Sequence, residues 1–249
     1  MTSRANQIGI SQRIRLEWLE VTANLVLAGS DRATVVAALG DLLEDKVSIG
    51  GHAERSNREK VITILVKVWA QTSRELDSLR AHGLELLRRL SPTNRLPVHW
   101  GMVMAAYPFW GAVASIVGRL LKLQGSAAAA HVQRRVREQY GERETVSRAC
   151  RRVLRSYVDW GVLRDSNTKG VYLPGLSLTV DDPQLISWLV EAWLYTRPDG
   201  TATLKHLLHS PSLFPFRFQP ALIDTILPAS GRLEVLRLGL DQHVVTLRR

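Results

Sequence analysis

From Val98 to Gly118 the chain runs 21 residues without a Lys, Arg, Asp or Glu, long enough to cross a bilayer as a single helix. Its content argues for another fate. His99, Pro108, three glycines (Gly101, Gly111, Gly118) and the rings of Trp100, Tyr107, Phe109 and Trp110 leave it only moderately apolar. Pro108 lacks a backbone N–H and its ring clashes with the preceding turn, so it should split the run into two helices. Helices with so little polar surface belong in a protein core. The expectation is a pair of buried helices and no stable membrane association, with a membrane anchor through this run as the alternative.

The rest of the chain has to cover that pair. Its 249 residues are 45% hydrophobic and 22% charged, enough for a folded core and too apolar for disorder. Ile14, Trp18, Val21, Leu25 and Val26 recur at helical spacing, and Thr34 to Leu43 repeats the pattern after a Gly29-Ser30-Asp31 break. Val47 to Ser56 reads as a loop. Ser56 and Glu59 have capping-box spacing ahead of an amphipathic helix through Val61, Leu65, Val68 and Trp69. Helix resumes from Glu75 to Leu90, and Ser91 to Pro97, with two prolines and turn formers, reads as a linker. Beyond the split pair come helices at about Ala127 to Tyr140 and Thr145 to Asp159.

Basic charge gathers in this central stretch. The formal net charge is +10, which favours a polyanionic partner. Between Arg119 and Arg155 ten basic residues face three acidic ones. In the helix from Thr145, residues Val146, Ala149, Cys150, Val153, Leu154, Tyr157 and Val158 form one apolar stripe, and Arg148, Arg151, Arg152 and Arg155 lie opposite. Thr145 or Glu144 is expected to cap its start. Trp160-Gly161 stops it; Val162 to Arg164 and Val171 to Leu173 are short strands about a turn from Asp165 to Gly170. A basic helix with Arg134, Arg135 and Arg137 precedes it through Gly141 to Glu144. Helix, turn, helix and hairpin together resemble a winged helix-turn-helix that binds double-stranded DNA. Arg134, Arg135, Arg137 and Lys169 are the expected phosphate contacts, with Arg148, Arg151, Arg152 and Arg155 facing the groove and Arg143 and Ser147 as further DNA-binding residues. A solvated arginine face is the plain alternative.

The C-terminal third begins a helix at Asp181-Asp182-Pro183, turns at Arg197 to Gly200, and forms short helices at Leu204 to Leu208 and Ala221 to Leu227 around an extended Leu213 to Phe218. Leu233 to Leu238 and His243 to Arg248 alternate as a terminal hairpin. Helix followed by hairpin permits a second winged-helix-like unit. The fold expected is therefore mainly α: a helical domain at 1–97, a winged helix-turn-helix at 98–177, and a small α+β domain at 178–249.

No catalytic, cofactor or metal constellation emerges. His206 and His209 stand at i, i+3 with no Cys, Asp or Glu placed to complete a metal site. His52 near Glu54 and Ser56 lacks a nucleophile elbow, and Gly50-Gly51 leads into no P-loop. The single Cys150 is expected to be a buried, inert thiol that demands no oxidising compartment. Residues 1–12 carry no apolar signal-like run. A non-enzymatic cytoplasmic protein is the simplest expectation.

Five segments, in order, resemble a known family. These are the basic loop and helix at His52 to Trp69, Leu86-Leu87-Arg88-Arg89-Leu90, the aromatic middle from Trp100 to Trp110, the Thr145-led helix closed by Gly161, and the Leu173-Pro174 exit. Their order is similar to BrxA, the small helical component of BREX phage-defence systems. In that family a carboxylate follows the aromatic middle, whereas Tyr107 to Gly111 has none. The resemblance implies a helical core with a winged helix, double-stranded DNA as partner, other defence-system proteins as company, and no catalytic residues. A winged-helix transcriptional regulator and a helical scaffold docking a protein partner are the competing readings.

Overall fold

A computed structural model of the chain describes residues 8–47, 56–218, 231–238 and 243–248. The protein is mostly helical, with small sheets. Proline divides the uncharged run as its chemistry requires: α5 (Leu96–Ala106) ends at Tyr107, and α6 (Pro108–Gln124) starts on Pro108, whose missing N–H costs nothing in a first turn. The two axes bend by 117°. Among the described residues no single helix is long and apolar enough to cross a membrane; only this bent pair qualifies, on length and composition alone. All eleven residues of α5 are buried.

What buries α5 comes from both ends of the chain. Before it stand α1 (Leu16–Leu27), α2 (Arg32–Leu42), α3 (Asn57–Trp69) and α4 (Asp77–Arg89). Asp31 caps α2 by accepting from the Thr34 N–H at 2.8 Å. Ser56 and Glu59 form the expected reciprocal capping box at the head of α3. Of the loop expected at Val47 to Ser56, residues 48–55 lie outside the described residues. The expected linker departs from expectation: residues 92–94 make one 3-10 turn and the chain enters α5 at Leu96, with Leu96 and Pro97 already buried. Only residues 90–95, with that turn among them, connect α4 to α5. From the other end comes α9 (Pro183–Leu194), whose Trp188 indole donates to the Leu79 carbonyl at 2.9 Å. At the centre, Trp100 meets Trp110, Trp160, Phe214 and Phe216 edge-on, with ring centroids 5.3–6.0 Å apart.

After α6, Gly125 takes a left-handed φ of +70° and the chain makes a two-residue strand, β1 (Ala127–Ala128). This corrects the expectation of helix from Ala127; the helix α7 spans Ala129–Tyr140. Then follow α8 (Glu144–Asp159), β2 (Leu163–Asp165) and β3 (Val171–Pro174). β2 and β3 form the expected hairpin, pairing Leu163 with Pro174 and Asp165 with Tyr172. β1 joins its far edge, giving the order β1-β3-β2. Gly161 turns the chain out of α8 at φ +72°, and a Cβ on Gly175 would lie 2.1 Å from the Gly161 carbonyl oxygen. Only glycine fits there.

The last third holds β4 (Leu178–Val180), then α9, β5 (Thr201–Thr203), α10 (Leu204–Leu208), β6 (Phe216–Phe218), β7 (Leu233–Arg237) and β8 (His243–Leu247). β4 and β6 pair in parallel, and β7 and β8 form the expected terminal hairpin. β5 adds to β8, so this sheet runs β5-β8-β7, the same first-third-second order as the central one. The short helix expected at Ala221 to Leu227 lies outside the described residues.

Candidate nucleic-acid interface

The position of α8 follows from its apolar stripe. Val146, Ala149, Cys150, Val153, Leu154 and Tyr157 are all buried, against α6 and α7. Burial pushes the Cys150 thiol up to about 12, so it stays protonated. The other flank of α8 is clamped by the extended segment leading into α1. Ile14 donates its N–H to Ser156 Oγ at 2.8 Å and accepts the Trp160 indole N–H at 2.9 Å; Arg13 forks onto Asp159. These partners lie about 140 positions apart in sequence.

The outward side carries arginines in unequal states. Arg148 is exposed and makes no hydrogen bond or ion pair among the described residues. Arg151 is exposed and 2.9 Å from Glu144 Oε1. Arg152 departs from its expected place: it is half-buried and lines a cleft against Arg13, Trp18 and Lys46, because α8 is covered on that flank by the N-terminal segment. Arg155 departs too. Its guanidinium holds both oxygens of Asp165 at 3.0 Å, fastening β2 to α8. Ser147, expected among the DNA-binding residues, is buried. Arg143 rather than Thr145 or Glu144 occupies the N-cap, with no side-chain cap, so the first N–H groups of α8 receive no side-chain oxygen.

The flanking cations lie on α7, at the N-cap of α8 and in the β2–β3 turn. On α7, Arg134 and Arg135 share Glu138 at 3.8 and 3.3 Å, and Arg137 lies 3.4 Å from Glu142. Arg143 is exposed and donates to the Tyr140 carbonyl at 3.3 Å. Lys169 is exposed in the turn of the β2–β3 hairpin. Exposed pairs of this kind are weak and exchange readily for another anion.

Sequence reasoning missed Asp159 and Asp165 as carboxylates that fix two arginines, and missed Arg13, Arg15 and Lys46 as neighbours of Arg152. Nothing local signals any of them. Among the described residues no group of three or more His, Cys, Asp or Glu is placed to hold a metal ion. No protein-family model, curated protein or solved structure matches the chain.

Proposed function

We propose that the protein binds double-stranded DNA without catalysing a reaction on it, through a winged helix-turn-helix made of α6, β1, α7, α8, β2 and β3. One observation carries this reading: the order helix, strand, helix, helix, strand, strand, closed by a β1-β3-β2 sheet, with an Arg148 that has no partner among the described residues on the outer face of the third helix. In such units the third helix lies in the major groove and the hairpin rides the adjacent backbone. Arg148 and Arg151 are then the groove contacts, since a guanidinium pairs in two-pronged fashion with a guanine edge or a phosphate. Arg134, Arg135, Arg137, Arg143 and Lys169 fix register on the phosphates.

Duplex binding measured by fluorescence anisotropy over a salt series tests the reading. Affinity should fall steeply with salt, and replacing Arg148 and Arg151 with Ala should weaken it by about tenfold or more, given the usual worth of such contacts. Arg32 and Arg88, exposed on α2 and α4, serve as controls. Equal losses at both pairs would overturn the assignment. The β5-β8-β7 order, with α9 before it and α10 inside it, favours a second unit of the same kind in the last third.

The likeness to BrxA extends the proposal to membership of a phage-defence assembly, tested by co-purification with the products of neighbouring genes. A scaffold that docks protein alone would keep its partner in the presence of excess duplex.

A further inference from the structure

Beside the outer face of α8, the N-terminal segment, α1, residues 46–47 and the start of α3 line a cleft of about 280 Å³ together with Arg152 of α8. Among the described residues, four cations line it, Arg13, Arg15, Lys46 and Arg152, with the amides of Gln12 and Asn57 between them and no carboxylate. Two of the four are already engaged. Arg13 forks onto Asp159, and Arg15 lies 3.5 Å from Glu17 and over the Trp18 ring. Lys46 and Arg152 have no carboxylate partner among the described residues. Gln12 is buried and its amide nitrogen donates to Asn57 Oδ1 at 2.9 Å, which holds the polar wall in place. Burial, reinforced by Arg148 and Arg151 nearby, holds the Arg152 guanidinium below its usual value. A half-buried cation among like charges is stabilised by an anion.

We infer that this cleft is a phosphate-binding site, in which Arg152 and Lys46 grip a phosphate group over the Gln12–Asn57 wall. Arg148 stands one helical turn before Arg152 on α8, so the cleft continues the cationic track of the outer face. The inference rests on the DNA-binding reading only for the source of the phosphate. A strand leaving α8 would lay a backbone phosphodiester here, making the N-terminal helices part of the interface; a free polyphosphate offers the same chemistry.

Two probes separate the sources in the full chain. Pyrophosphate is titrated calorimetrically at low salt into wild type, Lys46→Gln, Arg152→Gln and the Arg32→Gln control. A 20-bp duplex is titrated into the same proteins over a salt series. Pyrophosphate affinity should drop at least tenfold in each cleft variant and hold in the control. With DNA as the source, the slope of log K against log salt should also fall by about one per variant, the share of one phosphate contact. Lys46 is exposed, so its variant tests the site even if Arg152→Gln does not fold. Lost pyrophosphate binding with an unchanged duplex slope supports the site and makes its ligand a free polyphosphate. If neither probe responds to the cleft variants, the inference is overturned, while duplex binding that still depends on Arg148 would leave the DNA-binding reading intact.

Discussion

The Tyr157 hydroxyl donates to the Trp110 main-chain carbonyl across 2.7 Å inside the core, coupling α8 directly to the first turn of α6. Both residues are fully buried. Tyr157→Phe keeps the ring packing and removes one buried hydrogen bond, which should cost about 1 kcal/mol because the carbonyl also lies within a helix. For a chain of this size Tm should fall by roughly 2–4 °C. Duplex affinity of the folded variant should be unchanged, which calorimetry and anisotropy together will check.

Below neutral pH the core should weaken through His99. Its Nδ1 accepts the Trp69 indole N–H at 3.1 Å, so the ring proton sits on Nε2, 3.2 Å from Glu20 Oε1. A second ring proton would face the indole donor. Burial accordingly holds the His99 pKa below its usual 6.5, against the opposing pull of Glu20. Above pH 6.5 the imidazole is neutral folded or unfolded. As pH falls below 6.5 the unfolded chain takes up a proton that the folded one refuses, and stability declines at up to about 1.4 kcal/mol per pH unit. Glu20 acts in a lower window. Burial works to raise its pKa, but hydrogen bonds from His99 and Arg95 outweigh that and hold it below 4.5, so its contribution is lost as pH falls through the range beneath 4.5. Urea unfolding at pH 7.5, 6.5 and 5.5 measures the first decline. His99→Gln, which offers the same acceptor and donor, should flatten it.

Glu144 holds Arg151 at 2.9 Å on the proposed groove face. Both side chains are more than half exposed, so the pair contributes little to folding. It does oppose a polyanion. Glu144→Gln should leave Tm unchanged and tighten duplex binding about two- to fivefold, the scale of an exposed ion pair. Weaker binding would count against α8 as the contact helix.

Two helical glycines should respond with opposite signs. A Cβ on Gly118 of α6 would stand 2.1 Å from the Pro211 carbonyl oxygen, and backbone cannot step aside cheaply. Gly118→Ala should destabilise by about 3 kcal/mol. Gly40 sits inside α2 with nothing within 4 Å of an added Cβ, so Gly40→Ala should stabilise by about 0.5–1 kcal/mol. Chemical denaturation of both variants reads the two signs in one experiment.

Features written in short-range patterns are legible in the amino-acid sequence. The stripe of α8, the split at Pro108, the Ser56–Glu59 box and the turn from Asp165 to Gly170 each depend on residues within a few positions of one another. What is not legible there depends on distant partners. Ala127 and Ala128 favour helix intrinsically and become a strand only because β3 presents an open edge. Ser147 and Arg152 look like outer-face residues until α7 and the segment around Ile14 widen the covered part of α8. Asp165 reads as a turn residue, and nothing local says that it restrains Arg155. The prolines at 92 and 97 signal a linker by composition, yet Pro97 suits the first turn of a helix equally well.

The helix α5 has no outward side, and its covering comes from α1, α3, α4, α6 and α9 together. During synthesis it leaves the ribosome long before α9 exists to shield it, so the finished core forms late, once most of the chain has been made. A fragment carrying only the basic helices and their hairpin would expose the faces that α5 and its neighbours cover. Cut free of the rest of the chain, that unit should therefore be a poor independent folder.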